Sequence, residues 1–288
     1  MRRLTWSIAL AGMVGALSLA QADDGEPDRL AKAKALGALS VSVYQNYPPY
    51  SYESAGRYVG FDVDLAEALA AELGLKAHIQ PFVAGDDLDD DLRNHVSRGT
   101  LLGGAVSDVM MHVGADPEYI KRQSKVVIFG NYLHESIAMI LRPGRFKNFA
   151  TLDQLKGKQV AVELGSISDL YLSGAYSGAL RESMLRFPTS DAAAKAFIAG
   201  EADALILPRG EMQGLMKLHG GDAIMATEVS FTGLFRNNWD IGLAVSADSG
   251  TLKSALAGAL AKLRENGTLE KIYARYGLDY TVVEAAEK

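Results

Sequence analysis

The residues able to do chemistry in this chain are sparse, and their spacing suits holding a molecule better than breaking a bond. His134-Glu135 has no second histidine a helical turn away, so a zinc-hydrolase pair of imidazoles is missing. Gly174-Ala175-Tyr176-Ser177-Gly178 places tyrosine, not serine, at the centre of what would be a nucleophile elbow, and no phosphate-cradling glycine loop occurs. The chain is therefore read as no enzyme, with no cofactor. Gly165-Ser166-Ile167-Ser168-Asp169 follows a strand pattern and opens a helix, where free backbone N–H groups and hydroxyls make an anion site. The same residues equally well describe ordinary capping by Ser168. His112 is the polar candidate of the stretch Asp108–Pro117, either as a ligand hydrogen-bonder or as a partner for loop backbone groups. The acids of Asp86–Asp91 would attract a hard cation. They fit better the first turn of a helix continuing through Leu92 and Val96, where the helix dipole favours negative charge, so no metal is expected.

The elements that position these residues alternate between strand and helix periodicity, the signature of an α/β architecture. Leu39–Tyr44 alternates as a strand and runs into Asn46-Tyr47-Pro48-Pro49-Tyr50, whose prolines exclude both helix and central strand. Leu65, Ala66, Leu69 and Leu73 have helical spacing; Asp62 is expected to cap that helix and Gly74 to end it in the left-handed C′ position. Leu75, Ala77 and Ile79 alternate as a second strand, parallel to the first. A second unit starts at Thr151, where Thr151 and Gln154 have capping-box spacing, Gly157 stops a short helix and Gln159–Leu164 is a strand. Ser190 or Asp191 is expected to cap a helix ending at Gly200, followed by a strand at Ala204–Leu207. Two terminal helices carry the stripes Leu252, Leu256, Leu260, Leu263 and Leu269, Ile272, Tyr273, Tyr276, closed by Asn266-Gly267 and Gly277.

The start of the chain reads as an export signal. Arg2 and Arg3 precede the twelve-residue apolar run Ile8–Leu19, and Ala20-Gln21-Ala22 has the small-x-small pattern of a cleavage site. The run is short for a membrane span, and no later stretch is long enough to be one. Removing residues 1–22 leaves 266 residues with 27 Lys+Arg against 35 Asp+Glu, a net charge of −8. That balance argues against nucleic acid as a partner. No cysteine is present, which excludes disulfides and lipidation at cysteine and suits an oxidising compartment. Hydrophobic residues make up 48 %, enough for two ordinary cores.

Four motifs recur in order between about residues 38 and 278: Tyr47-Pro48-Pro49-Tyr50; Gly60-Phe61-Asp62-Val63-Asp64-Leu65-Ala66; Leu155-Lys156-Gly157-Lys158 before a strand ending in Gly165-Ser166; and Glu265-Asn266-Gly267-Thr268 before Lys271-Ile272-Tyr273. In this order they resemble the bacterial extracellular solute-binding proteins of family 3. The resemblance implies a two-lobed, type II periplasmic-binding-protein-like α/β fold with two antiparallel crossover hinge strands, near Leu133–Ile140 and Trp239–Val245. Lobe one would comprise residues 23–135 plus 240–288, and lobe two residues 136–239. The implied function is periplasmic capture of a small molecule in the interlobe cleft for an inner-membrane ABC permease, by a monomer. The stretch Asp108–Pro117 and Trp239-Asp240-Ile241-Gly242 are also similar to a divergent branch associated with quinoprotein alcohol dehydrogenases, which makes a periplasmic dehydrogenase the alternative partner.

The resemblance implies that Tyr47 packs its ring on the ligand, though a tyrosine covering the hinge is an equal reading. It also shows where this chain departs. Ile120 stands where family members that bind amino acids carry the arginine for the α-carboxylate, with Arg122 two residues on. Pro208 stands where the acid for the α-ammonium belongs, beside Arg209 and Glu211. A buried charge without a partner costs several kcal/mol, so a standard α-amino acid is not the expected ligand. Met110 and Met111 are expected at a strand end as core and cleft lining. The expected ligand-binding set is Tyr47, Tyr50, His112, Asp116, Arg122, Ser166, Ile167, Ser168, Arg209 and Trp239.

Overall fold

A computed structural model describes residues 28–100, 103–221, 227–229, 231–233, 237–281 and 283. The proposed export signal, residues 1–22, lies outside them. The described chain opens with α1 (Arg29–Leu36), β1 (Ala38–Tyr44), the hairpin β2 (Tyr52–Ser54) and β3 (Arg57–Val59), α2 (Phe61–Glu72) and β4 (Lys76–Phe82). β4 lies parallel to β1, in register from Ala38↔Lys76 to Tyr44↔Phe82, as the alternation predicts. Gly74 closes α2 with φ +72°, also as expected. The N-cap is different: Gly60 holds it at φ +136°, and a Cβ there would sit 2.1 Å from the Tyr50 carbonyl oxygen. Asp62 lies two residues further in and is buried, because its carboxylate is engaged by side chains distant in sequence rather than by its own helix.

Asp87 caps α3 (Leu88–Leu92) by accepting from the Asp90 N–H at 2.9 Å, and a π-turn at Arg93–Ser97 continues it. The acidic run thus supplies the N-cap Asp87 and, in the first turn, Asp89, Asp90 and Asp91, of which Asp91 is buried and accepts from Tyr44 Oη and the Gly85 N–H. β5 (Val109–Gly114) and α4 (Pro117–Arg122) follow. Met110 and Met111 sit near the start of β5, not its end, and enter cores on opposite faces of the sheet. β6 (Val126–Leu141) leads through a short 3₁₀ turn capped by the Thr151–Gln154 box into β7 (Val160–Glu163), α5 (Ile167–Gly178) and β8 (Met184–Phe187). α6 (Ser190–Ala199) is capped by Thr189, whose hydroxyl accepts from the Ala192 N–H, so neither Ser190 nor Asp191 is the cap. β9 (Ala204–Pro208), α7 (Arg209–Leu218), β10 (Thr227–Glu228), β11 (Asn238–Ser246), α8 (Gly250–Glu265) and α9 (Thr268–Tyr276) complete the order.

The main sheet runs β4-β1-β5-β11-β6-β9-β7-β8, with β10 pairing beside β6 off that path. β6 and β11 pair antiparallel from Asn238↔Ser136 to Ser246↔Val126, which puts both expected crossovers in place. Helices cover both faces. In the first half, Leu39, Val41, Phe61 and Leu65 pack with the α8 stripe Leu252, Leu256, Leu260 and Leu263, while Leu92, Val96, Met110 and Val113 fill the opposite face. In the second half, alternation along β6 sends Ile137 and Met139 into one core, and Ala138 and Ile140 into another. At ~2 kcal/mol for each fully buried Leu or Ile, these separate cores make each half a stable wall for what lies between them. The molecule is an α/β protein of two lobes joined through β6 and β11.

Candidate functional site

The site is built where the carboxyl ends of β1 and β5 meet the crossing β11. The chain leaves β1 and turns at once, with the Tyr47 N–H bonded to the Ser51 carbonyl and the Tyr50 N–H to that of Tyr47. This turn presents Tyr47 and buries Tyr50. Tyr47 Oη donates to Glu211 Oε1 at 2.6 Å, and Tyr50 Oη donates to Glu135 Oε1. Glu135 Oε2 accepts from the Gly210 N–H at 3.0 Å. A Cβ on residue 210 would lie 2.5 Å from both Glu135 Oε1 and Tyr50 Oη, so only glycine lets α7 approach this closely. Burial pushes Glu211 up to about 7, against the opposing Tyr47 hydrogen bond and with Glu135 adding to the rise. Burial raises Glu135 too, against its bonds from Tyr50 and Gly210.

His112 stands beside this acid pair. Its Nδ1 is 2.9 Å from Asp62 Oδ2, while Asp62 Oδ1 accepts from Tyr132 Oη at 2.7 Å. Tyr132 Oη in turn accepts from the backbone N–H of His112 at 2.8 Å, which closes a ring of contacts around the imidazole. The ring also meets Tyr47 edge-on, with centroids 5.0 Å apart, and Tyr50 at 4.2 Å. Burial alone would lower the imidazole pKa; the Asp62 carboxylate, helped by Glu135 and Glu211, raises it overall.

Above these buried groups lies a cavity of about 470 Å³, walled by Tyr44, Tyr47, Leu88, His112, Trp239 and Ile241 among others. A second, of about 510 Å³, shares Leu88, Gly114 and Trp239 with it and adds Asp116, Tyr119 and Arg122. Together they form one groove with aromatic walls, an imidazole at one end and a guanidinium at the other. Asp116 caps α4 by accepting from the Tyr119 N–H at 2.8 Å, and the Arg122 guanidinium lies 5.9 Å from the Tyr119 ring centroid. Ile120 is partly buried against the core beneath β5. Pro208 precedes α7 at the end of β9 and carries no charge.

Of the expected residues, the structure brings together Tyr47, His112 and Trp239 in the first cavity, and Asp116, Arg122 and Trp239 in the second. Tyr50 lies beneath the groove, fully buried, and does not line either cavity. Ser166, Ile167, Ser168 and Arg209 lie outside both cavity walls. Ser166, not Ser168, caps α5 by accepting from the Asp169 N–H, and Ser168 is buried. Asp169 accepts from the Gly165 N–H at 2.9 Å and from Arg186 at 2.8 Å. Burial works against its charge, but these bonds and the Ser173 hydroxyl hold the carboxyl below its ordinary value. Arg209 Nε is 3.4 Å from Ser136 Oγ. The residues that sequence reading missed are Tyr44, Leu88 and the buried acids Asp62, Glu135 and Glu211. Tyr44, as the last residue of a strand before a proline turn, had a legible signal; the acids had none beyond their charge. Among the described residues, no group of three or more His, Asp or Glu is placed to hold a metal ion. Nor is any described helix long and apolar enough to cross a membrane.

Two α/β lobes, two crossing strands and a groove between strand ends define the two-lobed type II class of binding protein. The sequence model of the bacterial extracellular solute-binding proteins, family 3, matches residues 39–95. The L-cystine-binding protein of Escherichia coli K12 is 26 % identical over 283 residues, covering 97 % of each chain. The L-arginine-binding protein of Pseudomonas aeruginosa is 25 % identical over 242 residues, covering 83 % of this chain and 87 % of its own. Among solved structures, an ancestral cationic amino acid solute-binding protein superposes with a TM-score of 0.68 at 23 % identity, covering 86 % of this chain and 99 % of that one; this likeness carries the fold. The chain is thus similar to the family 3 extracellular solute-binding proteins, by the family model over residues 39–95 and by the fold over most of its length. These comparisons lend no support to the dehydrogenase-associated branch.

Proposed function

We propose that this protein captures a small solute in the groove beneath Trp239 and delivers it to an inner-membrane ABC permease, after export to the periplasm and removal of residues 1–22. The observation that carries this reading is the groove itself, where ends of β1, β5 and β11 converge under Tyr44, Tyr47 and Trp239. The lobes are residues 23–135 plus 240–288 and residues 136–239, and a ligand that prefers the closed arrangement shifts the protein toward it. The unit is a monomer and performs no catalysis.

The relatives' ligands, L-cystine and L-arginine, are amino acids. The reading favoured here is a solute other than a standard α-amino acid. Support comes from Ile120, directed to the core, and Pro208, uncharged at the start of α7. Glu211, one turn beyond Pro208, gives Oε1 to Tyr47, and among the described residues its buried Oε2 has no hydrogen-bond partner.

A thermal-shift screen of the protein against amino acids, carboxylates, amines and alcohols tests both statements. Saturable stabilisation by one solute is expected, following the mass-action law for a ligand that binds only the folded state. Strong stabilisation by L-arginine or L-cystine would overturn the exclusion of amino acids. No stabilisation by any solute, with co-purification of a periplasmic dehydrogenase, would overturn capture.

A further inference from the structure

His112 lines the groove yet is only 9 % exposed, and its backbone has φ +59°, a left-handed conformation that costs a non-glycine residue about 1 kcal/mol. Such strain persists where surrounding contacts over-determine it. Here they do, through Asp62 on the ring and Tyr132 on the backbone. Nδ1 is thereby committed to a carboxylate that is itself held from its other oxygen. Nε2 is left over, and no described residue partners it. Around the ring stand Asp62 on α2, Tyr132 and Glu135 on β6, Tyr47 and Tyr50 on the turn after β1, and Glu211 on α7, while Tyr44 at the end of β1 and Trp239 on β11 line the same cavity. Every ionisable member of that set is an acid or a phenol, so the surroundings favour the imidazolium. An imidazolium has a second N–H, and an N–H left without an acceptor in a mostly buried position is unfavourable.

We infer that the Asp62–His112 pair is the specificity element of the groove, anchoring the carboxylate of an apolar or aromatic monocarboxylate through Nε2–H. This rests on the groove being the solute site. The flanking rings of Tyr44, Tyr47 and Trp239 receive the body of the solute, and Asp62 keeps the imidazole protonated and oriented. The pair supplies an anion anchor different in kind from a guanidinium, because it titrates. Carboxylate affinity therefore falls as pH rises through the imidazole's range, whereas a contact to Arg122 would be insensitive there.

Isothermal titration of the protein purified from the periplasm, with phenylacetate, 2-phenylethanol and 2-phenylethylamine between pH 5.5 and 8.5, tests this. At pH 6, phenylacetate is expected to bind at least tenfold tighter than the alcohol or the amine. Its affinity should then fall toward tenfold per pH unit above the imidazole pKa. His112→Gln should weaken it about tenfold at pH 6 and flatten the pH profile, and Asp62→Asn should shift the midpoint to lower pH. Nitrogen-15 spectra of the wild-type imidazole give an independent reading: the neutral form should carry its proton on Nδ1. Equal binding of phenylacetate and 2-phenylethanol, a pH profile unchanged by His112→Gln, or a proton on Nε2 in the neutral ring would overturn the inference and leave the groove as a solute site. Absence of heat with all three probes, and with L-arginine and L-cystine, would overturn the groove reading and this inference together.

Discussion

Two regions of this protein promised an anion site, the groove around His112 and the N-terminus of α5, and they differ in what is left over. At α5, Ser166 caps the helix, Asp169 takes the Gly165 N–H, and Arg186 balances Asp169. The Gly165 and Asp169 N–H groups are thus taken by side chains of the same turn. In the groove, the imidazole of His112 is hydrogen-bonded through Nδ1 alone among the described residues, and Arg122 reaches the wall of the adjoining cavity. A positive helix end therefore does not by itself mark a ligand site. What marks one is a polar group held rigidly by partners that leave one of its atoms unused.

The largest effect concerns Glu211, the buried acceptor of the Tyr47 hydroxyl. Its folded pKa of about 7 lies above the ordinary 4.5, so the folded state holds the proton more tightly. The stability this contributes is full below pH 4.5 and is lost as pH rises to about 7, by roughly 3 to 4 kcal/mol, since each pKa unit is worth about 1.4 kcal/mol. Urea unfolding across that range should show the decline, and Glu211→Gln should remove most of it. Next, Trp239→Ala should weaken solute binding by about 2 kcal/mol, roughly thirtyfold, measured calorimetrically, because it removes the wall shared by both cavities.

At α5 the expectations concern stability alone. Asp169→Asn should cost about 1 to 2 kcal/mol through the lost charge-assisted bonds to Gly165 and Arg186. In the wild type the sign opposes that of Glu211. The Asp169 pKa is held low, so its contribution is present above the ordinary aspartate pKa and lost as pH falls through the folded one. Ser166→Ala should cost about 1 kcal/mol or less in chemical denaturation. Neither substitution should change solute affinity more than twofold; a tenfold loss in either would restore α5 to the binding site.

Much of the scaffold was legible because its determinants are local. The alternation of Leu39–Tyr44, the capping box at Thr151, the left-handed glycines 74, 200 and 277 and the leucine stripe of α8 all appear where periodicity and turn chemistry place them. The misses share one cause. Asp62 has the form of a helix cap, but His112 and Tyr132, 50 and 70 residues away, take its oxygens. Thr189 displaces Ser190 as the α6 cap, and Ser190 instead donates to Glu163, which only the folded chain brings near. Tyr50 shares a motif with Tyr47 but points into the core, because Glu135 on the crossing strand β6 accepts its hydroxyl.

Neighbours within a turn or a strand set the α/β class and the order of the elements, whereas the two crossing strands and the departure at Ile120 and Pro208 came from the resemblance to a family. Only the tertiary structure decided which polar groups are consumed by the fold and which remain for a ligand. The reason is that a hydrogen-bond donor is used or unused according to partners that the chain delivers from far away. On that account Gly165 and Asp169 at the α5 terminus found partners within their own turn, and Nε2 of His112 has none among the described residues.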